Sequence, residues 1–138
     1  MASLEERVNI GVGIFVFNED GDVLLCERLA DKHGKGEWGL PGGKPDPGED
    51  PGYTAVRELY EETGLVAYDL EKLDTWTYDV YRDHGVHFVT VYYSCNAKRQ
   101  TPRNTEPDKQ GPWEWFDPEN LPTPLFCGIA EAVKALGY

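Results

Sequence analysis

Between two apolar regions the chain reads GGKPDPGEDPGYTAVRELYEETGL, residues 42–65, and no other stretch restricts the fold so closely. Asp50 followed by Pro51 is a helix start: a side-chain acceptor for the unpaired first N–H groups, then a proline whose missing N–H costs nothing at that position. Gly64 can take the left-handed conformation that stops a helix. A helix is therefore expected from about Pro51 to Thr63. With about 3.6 residues per turn, Glu58, Glu61 and Glu62 fall within an arc of about 100°. Val56, Leu59 and Thr63 lie on a roughly opposite side and form the stripe expected to be buried. Like charges three and four residues apart on a helix repel, so the acidic arc needs an explanation.

A pair of glutamates alone on a helix is ordinarily a solvated face. Here the setting differs. The segment Gly42 to Glu49 combines glycines, which let backbone approach a ligand, with prolines, which restrict the loop's own freedom. Such a loop can press backbone carbonyls and Glu49 toward the helix. Arg57 stands four residues before Glu61 and is placed to reach back to Glu49, orienting the loop and leaving the other glutamates free. A hard divalent cation bound through oxygen would then relieve the repulsion.

The rest of the chain supplies the scaffold. RVNIGVGIFVF reads as a strand, Asn18 to Asp22 as a turn and DVLLCERL as the hairpin partner. Leu73 to Arg82 and Val86 to Ser94 read as strands joined at His84 and Gly85, Pro102 to Pro112 as a polar loop, WEWF as a strand, and Leu125 to Leu136 as an amphipathic helix. Gly34, Gly36 and Gly39 have GxGxxG spacing, but Pro41 follows at once, so the strand-glycine-helix setting of a dinucleotide site is missing. Strands mixed with two helices predict an α/β domain spanning residues 1–138, a mixed sheet with helices on its faces.

Composition narrows the function. Thirteen Lys and Arg against 25 Asp and Glu give a net charge of −12 with no basic cluster along the chain, so a nucleic-acid polymer is not an expected partner. The longest apolar run, Val8 to Phe17, is too short for a bilayer and the N-terminus carries no secretory pattern, which points to a cytoplasmic protein without a membrane partner. Cys26, Cys95 and Cys127 form no CxxC pair and are expected to be reduced thiols.

Gly43, five residues, Glu49, seven residues, then Arg57-Glu58-Leu59-Tyr60-Glu61-Glu62-Thr63-Gly64-Leu65 resembles the Nudix box, GX5EX7REUXEEXGU with U aliphatic, at every fixed position. The resemblance implies a Nudix fold, a mixed β-sheet sandwiched between α-helices, and hydrolysis of a nucleoside diphosphate linked to another group. It also implies that Glu58, Glu61 and Glu62 bind Mg²⁺, with Mn²⁺ a possible substitute, assisted by Glu49 and the Gly43 carbonyl. Arg57 belongs to the catalytic set. The water-activating base is left open among Glu58, Glu62 and, outside the box, Glu106.

NTEPDKQGPWEWFDPENLPTPLF resembles the corresponding stretch of MutT-type nucleoside triphosphate pyrophosphohydrolases. That resemblance implies hydrolysis of (d)NTP to nucleoside monophosphate and pyrophosphate, a nucleotide-pool sanitising reaction, with Arg28, Thr90, Phe126, Gly128 and Ile129 at the base and Phe126 stacked on it. The alternatives are a nucleotide-sugar or dinucleoside polyphosphate hydrolase and, in another class, a non-catalytic Nudix ligand sensor. RNA cap removal is disfavoured by the missing basic surface. His33, His84 and His87 read as surface or structural, one of Trp113 and Trp115 is expected to face the core, and a homodimer is a possible assembly.

Overall fold

The computed structural model describes residues 3–138. Strand β1 (Asn9–Asn18) forms a hairpin with β2 (Val23–Glu27), and the short strands β3 (Trp38–Gly39) and β4 (Gly42–Gly43) follow. Helix α1 (Pro51–Thr63) leads to β5 (Tyr68–Tyr81), a 3-10 turn over Arg82–His84, β6 (Val86–Lys98), β7 (Glu114–Phe116) and α2 (Ile129–Leu136). The sheet order is β3-β2-β1-β6-β5, with β4 paired to β1 and β7 to β2. β1 and β6 run parallel at its centre and the other pairs are antiparallel, so the sheet is mixed.

Side chains alternate between the faces of a strand, and each face carries its own core. Val12, Ile14 and Val16 of β1, Leu24 and Cys26 of β2, and Tyr93, Cys95 and Ala97 of β6 pack with Ala55 and Leu59 of α1. Phe15, Val23, Leu25 and Tyr92 point the other way and pack with Ile129 and Ala132 of α2. The result is the expected helix-sheet-helix sandwich.

The capped helix forms with the expected bounds. The Asp50 side chain accepts a 2.7 Å hydrogen bond from the Gly52 N–H, and Gly64, at φ 75°, donates to the Tyr60 carbonyl. Its buried side is not the expected one throughout: Thr54, Ala55, Leu59 and Thr63 are buried, while Val56 is exposed. Residues four apart recur on one helical face, and the 55-59-63 row leaves Glu62 beside the buried stripe rather than opposite it.

Three further expectations are corrected. β5 begins at Tyr68 rather than Leu73, through register irregularities between Tyr68 and Glu71 and between Lys72 and Trp76. α2 begins at Ile129 rather than Leu125, because Leu125 bridges to Trp38 and the Phe126 N–H donates to the Trp38 carbonyl at 2.8 Å. That segment extends the edge of the sheet before the helix starts. Trp113 and Trp115, two residues apart and so on one side, both pack in the α1-side core.

Candidate active site

Arg57 organises the acidic helix. Its Nε and Nη2 each donate a 2.8 Å hydrogen bond to a different oxygen of Glu49, and Nη1 donates to Glu58 at 2.8 Å and to Glu61 at 3.3 Å. Glu49 also accepts from the Thr54 hydroxyl at 2.6 Å and the Asp46 N–H at 3.1 Å. The Arg57 hydrogen bonds, then that of Thr54, hold the Glu49 carboxyl down at about 2. Arg57 itself is held more firmly charged by the same contacts. The expected reach from Arg57 back to Glu49 is thus present, bidentate and specific in geometry.

Glu62 has a different environment. Its Oε1 accepts a 2.9 Å hydrogen bond from the Gly42 N–H. Burial raises its carboxyl to about 8 against that hydrogen bond, and Glu58 and Glu106 raise it further. Burial also pushes the Glu58 carboxyl upward in spite of Arg57. Two acids that resist ionisation beside one another are a place where a cation is favourable.

Strand β4 brings the glycine loop against these acids. Gly42 and Gly43 pair with Gly13 and Val12 of β1. A Cβ on Gly42 would collide with the Val12 carbonyl, and one on Gly43 would lie 2.5 Å from the Glu58 carboxyl carbon. Backbone can come this close only because both residues lack a side chain. Among the described residues no three His, Cys, Asp or Glu side chains are drawn together tightly enough to hold a metal ion. Arg57 hydrogen-bonds Glu49, Glu58 and Glu61, whereas Glu62 is held by the Gly42 N–H. The donor set, carboxylates with a glycine backbone beside them, has the chemistry of a hard divalent cation site.

A cavity of about 400 Å³ opens beside this helix. Glu62, Gly43, Glu106, Arg28, Thr90, Phe126 and Ile129 line it, so it brings together seven of the expected site residues. Glu49, Arg57, Glu58 and Glu61 lie outside its wall. Gly128 is also outside: at φ 75° it precedes α2, and a Cβ there would collide with the Thr77 hydroxyl and crowd the Tyr92 hydroxyl. The absence of a Cβ at Gly128 lets its backbone pack against Thr77 and Tyr92.

Phe126 is on the wall, but its ring face is occupied. The Arg28 guanidinium carbon sits 3.8 Å from the ring centroid, Tyr81 stacks at 6.0 Å with an interplanar angle of 20°, and His33 lies 5.9 Å away. The Tyr81 hydroxyl donates to Glu37 at 3.0 Å and accepts from the Cys127 N–H at 3.3 Å. His33 also faces Phe88 at 5.0 Å and His84 at 6.2 Å, so these two histidines are neighbours and His33 is a wall residue. Burial, then the charge of Arg28, lowers the His33 imidazole to about 4. Lys32, Lys44 and Lys109 also line the cavity, from three separate loops. Sequence reading missed His33, Tyr81 and this gathering of lysines, for which no local motif exists.

The loop after β6 is fastened to the acidic helix. The Thr105 hydroxyl contacts the carbonyls of Glu61 at 2.7 Å and Glu62 at 2.9 Å, the Trp113 indole N–H donates to the Glu62 carbonyl at 3.2 Å, and the Arg103 N–H donates to that of Thr63 at 2.8 Å. These contacts satisfy carbonyls that a helix end leaves open. They also bring Glu106 to the cavity, where Lys109 pairs with it at 3.3 Å.

Fold and site define a hydrolase of the Nudix class, and comparison with known proteins agrees. The NUDIX domain matches residues 7–136, and the chain belongs to this family as a pyrophosphatase. It is 32% identical to an RNA pyrophosphohydrolase of Bartonella bacilliformis over 82% of this chain and 79% of that one. It is 37% identical to Nudix hydrolase 25 of Arabidopsis thaliana, over 88% and 79%. Among solved structures, a MutT NUDIX hydrolase from Burkholderia pseudomallei superposes with a TM-score of 0.84 at 32% identity, covering 94% of this chain and 98% of that one. No helix among the described residues is long and apolar enough to cross a membrane.

Proposed function

We propose that this chain hydrolyses nucleoside 5′-triphosphates, ribo or deoxyribo, to the nucleoside monophosphate and pyrophosphate, using Mg²⁺. The observation that carries this reading is the position of Glu62: it belongs to the acidic helix and lines the same cavity as Arg28, Phe126 and Tyr92. A nucleoside in the cavity directs its phosphates toward that helix. Glu58, Glu61 and Glu62 would hold the cation, with Glu49 and Gly43 assisting, and a bound divalent cation neutralises polyphosphate and lowers the pKa of water.

The chain's own residues do the rest. Arg57 fixes the Glu49 loop and orients Glu58 and Glu61. Glu58, Glu62 and Glu106 are the base candidates, Glu62 and Glu106 lining the cavity and Glu58 lying against Gly43 of its wall, and one of them takes the proton from the attacking water. Lys32, Lys44 and Lys109 bring positive charge to a site whose helix would otherwise repel a polyanion.

A second reading has its own support. The relatives named RNA pyrophosphohydrolase include chains 32% and 34% identical to this one, and the lysines reach the cavity although none of them forms a basic run in the sequence. On that reading the same triphosphate sits at the 5′ end of an RNA chain. Measuring kcat/KM for nucleoside triphosphates, deoxynucleoside triphosphates and a short 5′-triphosphorylated RNA separates the two. Higher kcat/KM for free nucleotides supports the first reading, and a tenfold advantage for the RNA replaces it with the second.

A further inference from the structure

Glu106 reaches the cavity from the loop after β6, and little holds its side chain there. Among the described residues its carboxylate bonds only to Lys109, at 3.3 Å, with the lysine side chain 61% and the glutamate 37% exposed. An ion pair so open to water fixes a side chain weakly. The peptide that carries Glu106 is held far more firmly. Asn104 Oδ1 accepts from the Glu106 N–H at 3.1 Å and from Gln110 Nε2 at 3.3 Å, and Asn104 Nδ2 donates to the Gln110 carbonyl at 3.0 Å. An asparagine can make all three bonds because its amide offers an acceptor and donors together. Beyond Glu106, Pro107 starts a tight turn in which the Lys109 N–H donates to the Glu106 carbonyl at 2.9 Å.

Asn104 joins two anchorages of this loop. On one side the neighbouring Thr105 hydroxyl contacts the Glu61 and Glu62 carbonyls of α1. On the other, buried Gln110 bridges to Arg28, the Leu29 N–H donates to the Lys109 carbonyl at 2.8 Å, and the Gly111 N–H donates to the Glu27 carbonyl at 2.8 Å. Both anchorages would survive loss of the asparagine side chain, but the Glu106 N–H between them would lose its acceptor. A carboxylate that handles a proton or a cation must be held to within about 0.5 Å of its working position. Asn104 itself is not part of the cavity wall, whereas Glu106 is.

Resting on the triphosphatase reading above, we propose that Asn104 is a positioning residue for that reaction: it sets Glu106 above the acidic helix, and the contribution of Glu106 to turnover depends on it.

A double-mutant cycle over wild type, Asn104→Ala, Glu106→Gln and the double variant tests this. Single turnovers with Mg²⁺ and enzyme in excess keep slow variants measurable; the nucleotide is whichever of GTP, ATP, CTP and UTP the wild type cleaves fastest. Asn104→Ala should lower the saturating rate by roughly ten- to a hundredfold and shift the half-saturating concentration by less than about threefold, since the lost bond orients a reacting group and leaves nucleotide binding alone. Glu106→Gln should lose at least as much. In the Glu106→Gln background, Asn104→Ala should cost no more than about twofold further, because nothing remains for it to position. A general loss of loop stability would instead lower the rate by the same factor in both backgrounds, and that result would overturn the proposal. So would an unchanged rate in Asn104→Ala, or wild-type turnover in Glu106→Gln, while the triphosphatase reading stood. Absence of wild-type turnover with all four nucleotides would remove that reading and the proposal together.

Discussion

Arg57 grips Glu49 with two hydrogen bonds of 2.8 Å, one from Nε and one from Nη2, across a separation of eight residues. The pair ties the glycine-proline loop to the acidic helix and sets the position of every carboxylate that Arg57 also touches. Arg57→Lys keeps the charge but loses the fork. It is expected to lower kcat/KM by roughly 10- to 100-fold, the usual cost of disturbing groups that orient metal ligands, while circular dichroism stays unchanged. Wild-type kinetics in Arg57→Lys would contradict the orienting role.

The same pair gives the protein an acid-sensitive contact. Glu49 titrates at about 2 in the folded chain, below its ordinary value of 4.5. A depressed carboxyl contributes stability that is present above the unfolded value and lost as pH falls through the folded one. Melting temperature should therefore fall between about pH 5 and pH 2, and Glu49→Gln should flatten that decline. An identical profile in the variant would show that the contact contributes nothing to acid stability.

Glu62 behaves in the opposite sense. Its metal-free carboxyl is raised from 4.5 to about 8, so the stability linked to its protonated form is full below the unfolded value and is lost as pH rises through the folded one. In EDTA, wild type should lose melting temperature from about pH 4 to 8 and Glu62→Gln should lose less. Mg²⁺ should restore the wild type more than the variant by mass action. Glu62→Gln and Glu61→Gln should each reduce kcat severely, since the charge stabilisation supplied through a metal ligand is worth several kcal/mol. Equal Mg²⁺ shifts in all three proteins would remove the metal assignment.

Phe126→Ala and Gly128→Val are expected to change different properties. Phe126→Ala removes the ring beneath Arg28 and should weaken kcat/KM for nucleotides far more than for a non-nucleoside polyphosphate. Gly128→Val places a β-branched side chain at φ 75° against Thr77 and Tyr92. It should cost about 2 kcal/mol or more of stability, read as a lower melting temperature. A Gly128→Val protein that melts like wild type but discriminates poorly among bases would return Gly128 to the base site.

What could be read from the chain alone follows the range of the interactions. Helix α1 was legible to its ends because Asp50, Pro51 and Gly64 act locally, and Arg57 with Glu49 was legible because loop and helix are consecutive. The start of α2 was not, since Leu125 pairs with Trp38, far away in sequence. Nor was the stacking of Arg28 on Phe126, or the convergence of Lys32, Lys44 and Lys109. Those residues become neighbours only when three loops meet over the sheet. The charge pattern showed an acidic protein without a basic run; the fold gathers Lys32, Lys44 and Lys109 on one cavity wall.

Turnover of GTP in ¹⁸O-labelled water with Mg²⁺, followed by mass analysis of both products, shows whether the acidic helix and the cavity make one metal-dependent site that cleaves the bond between the α- and β-phosphates. The expected result is GMP and pyrophosphate in equal amounts, one ¹⁸O atom incorporated between them per turnover, and no reaction in EDTA or with Glu62→Gln. GDP with inorganic phosphate, or turnover that survives EDTA, would contradict it.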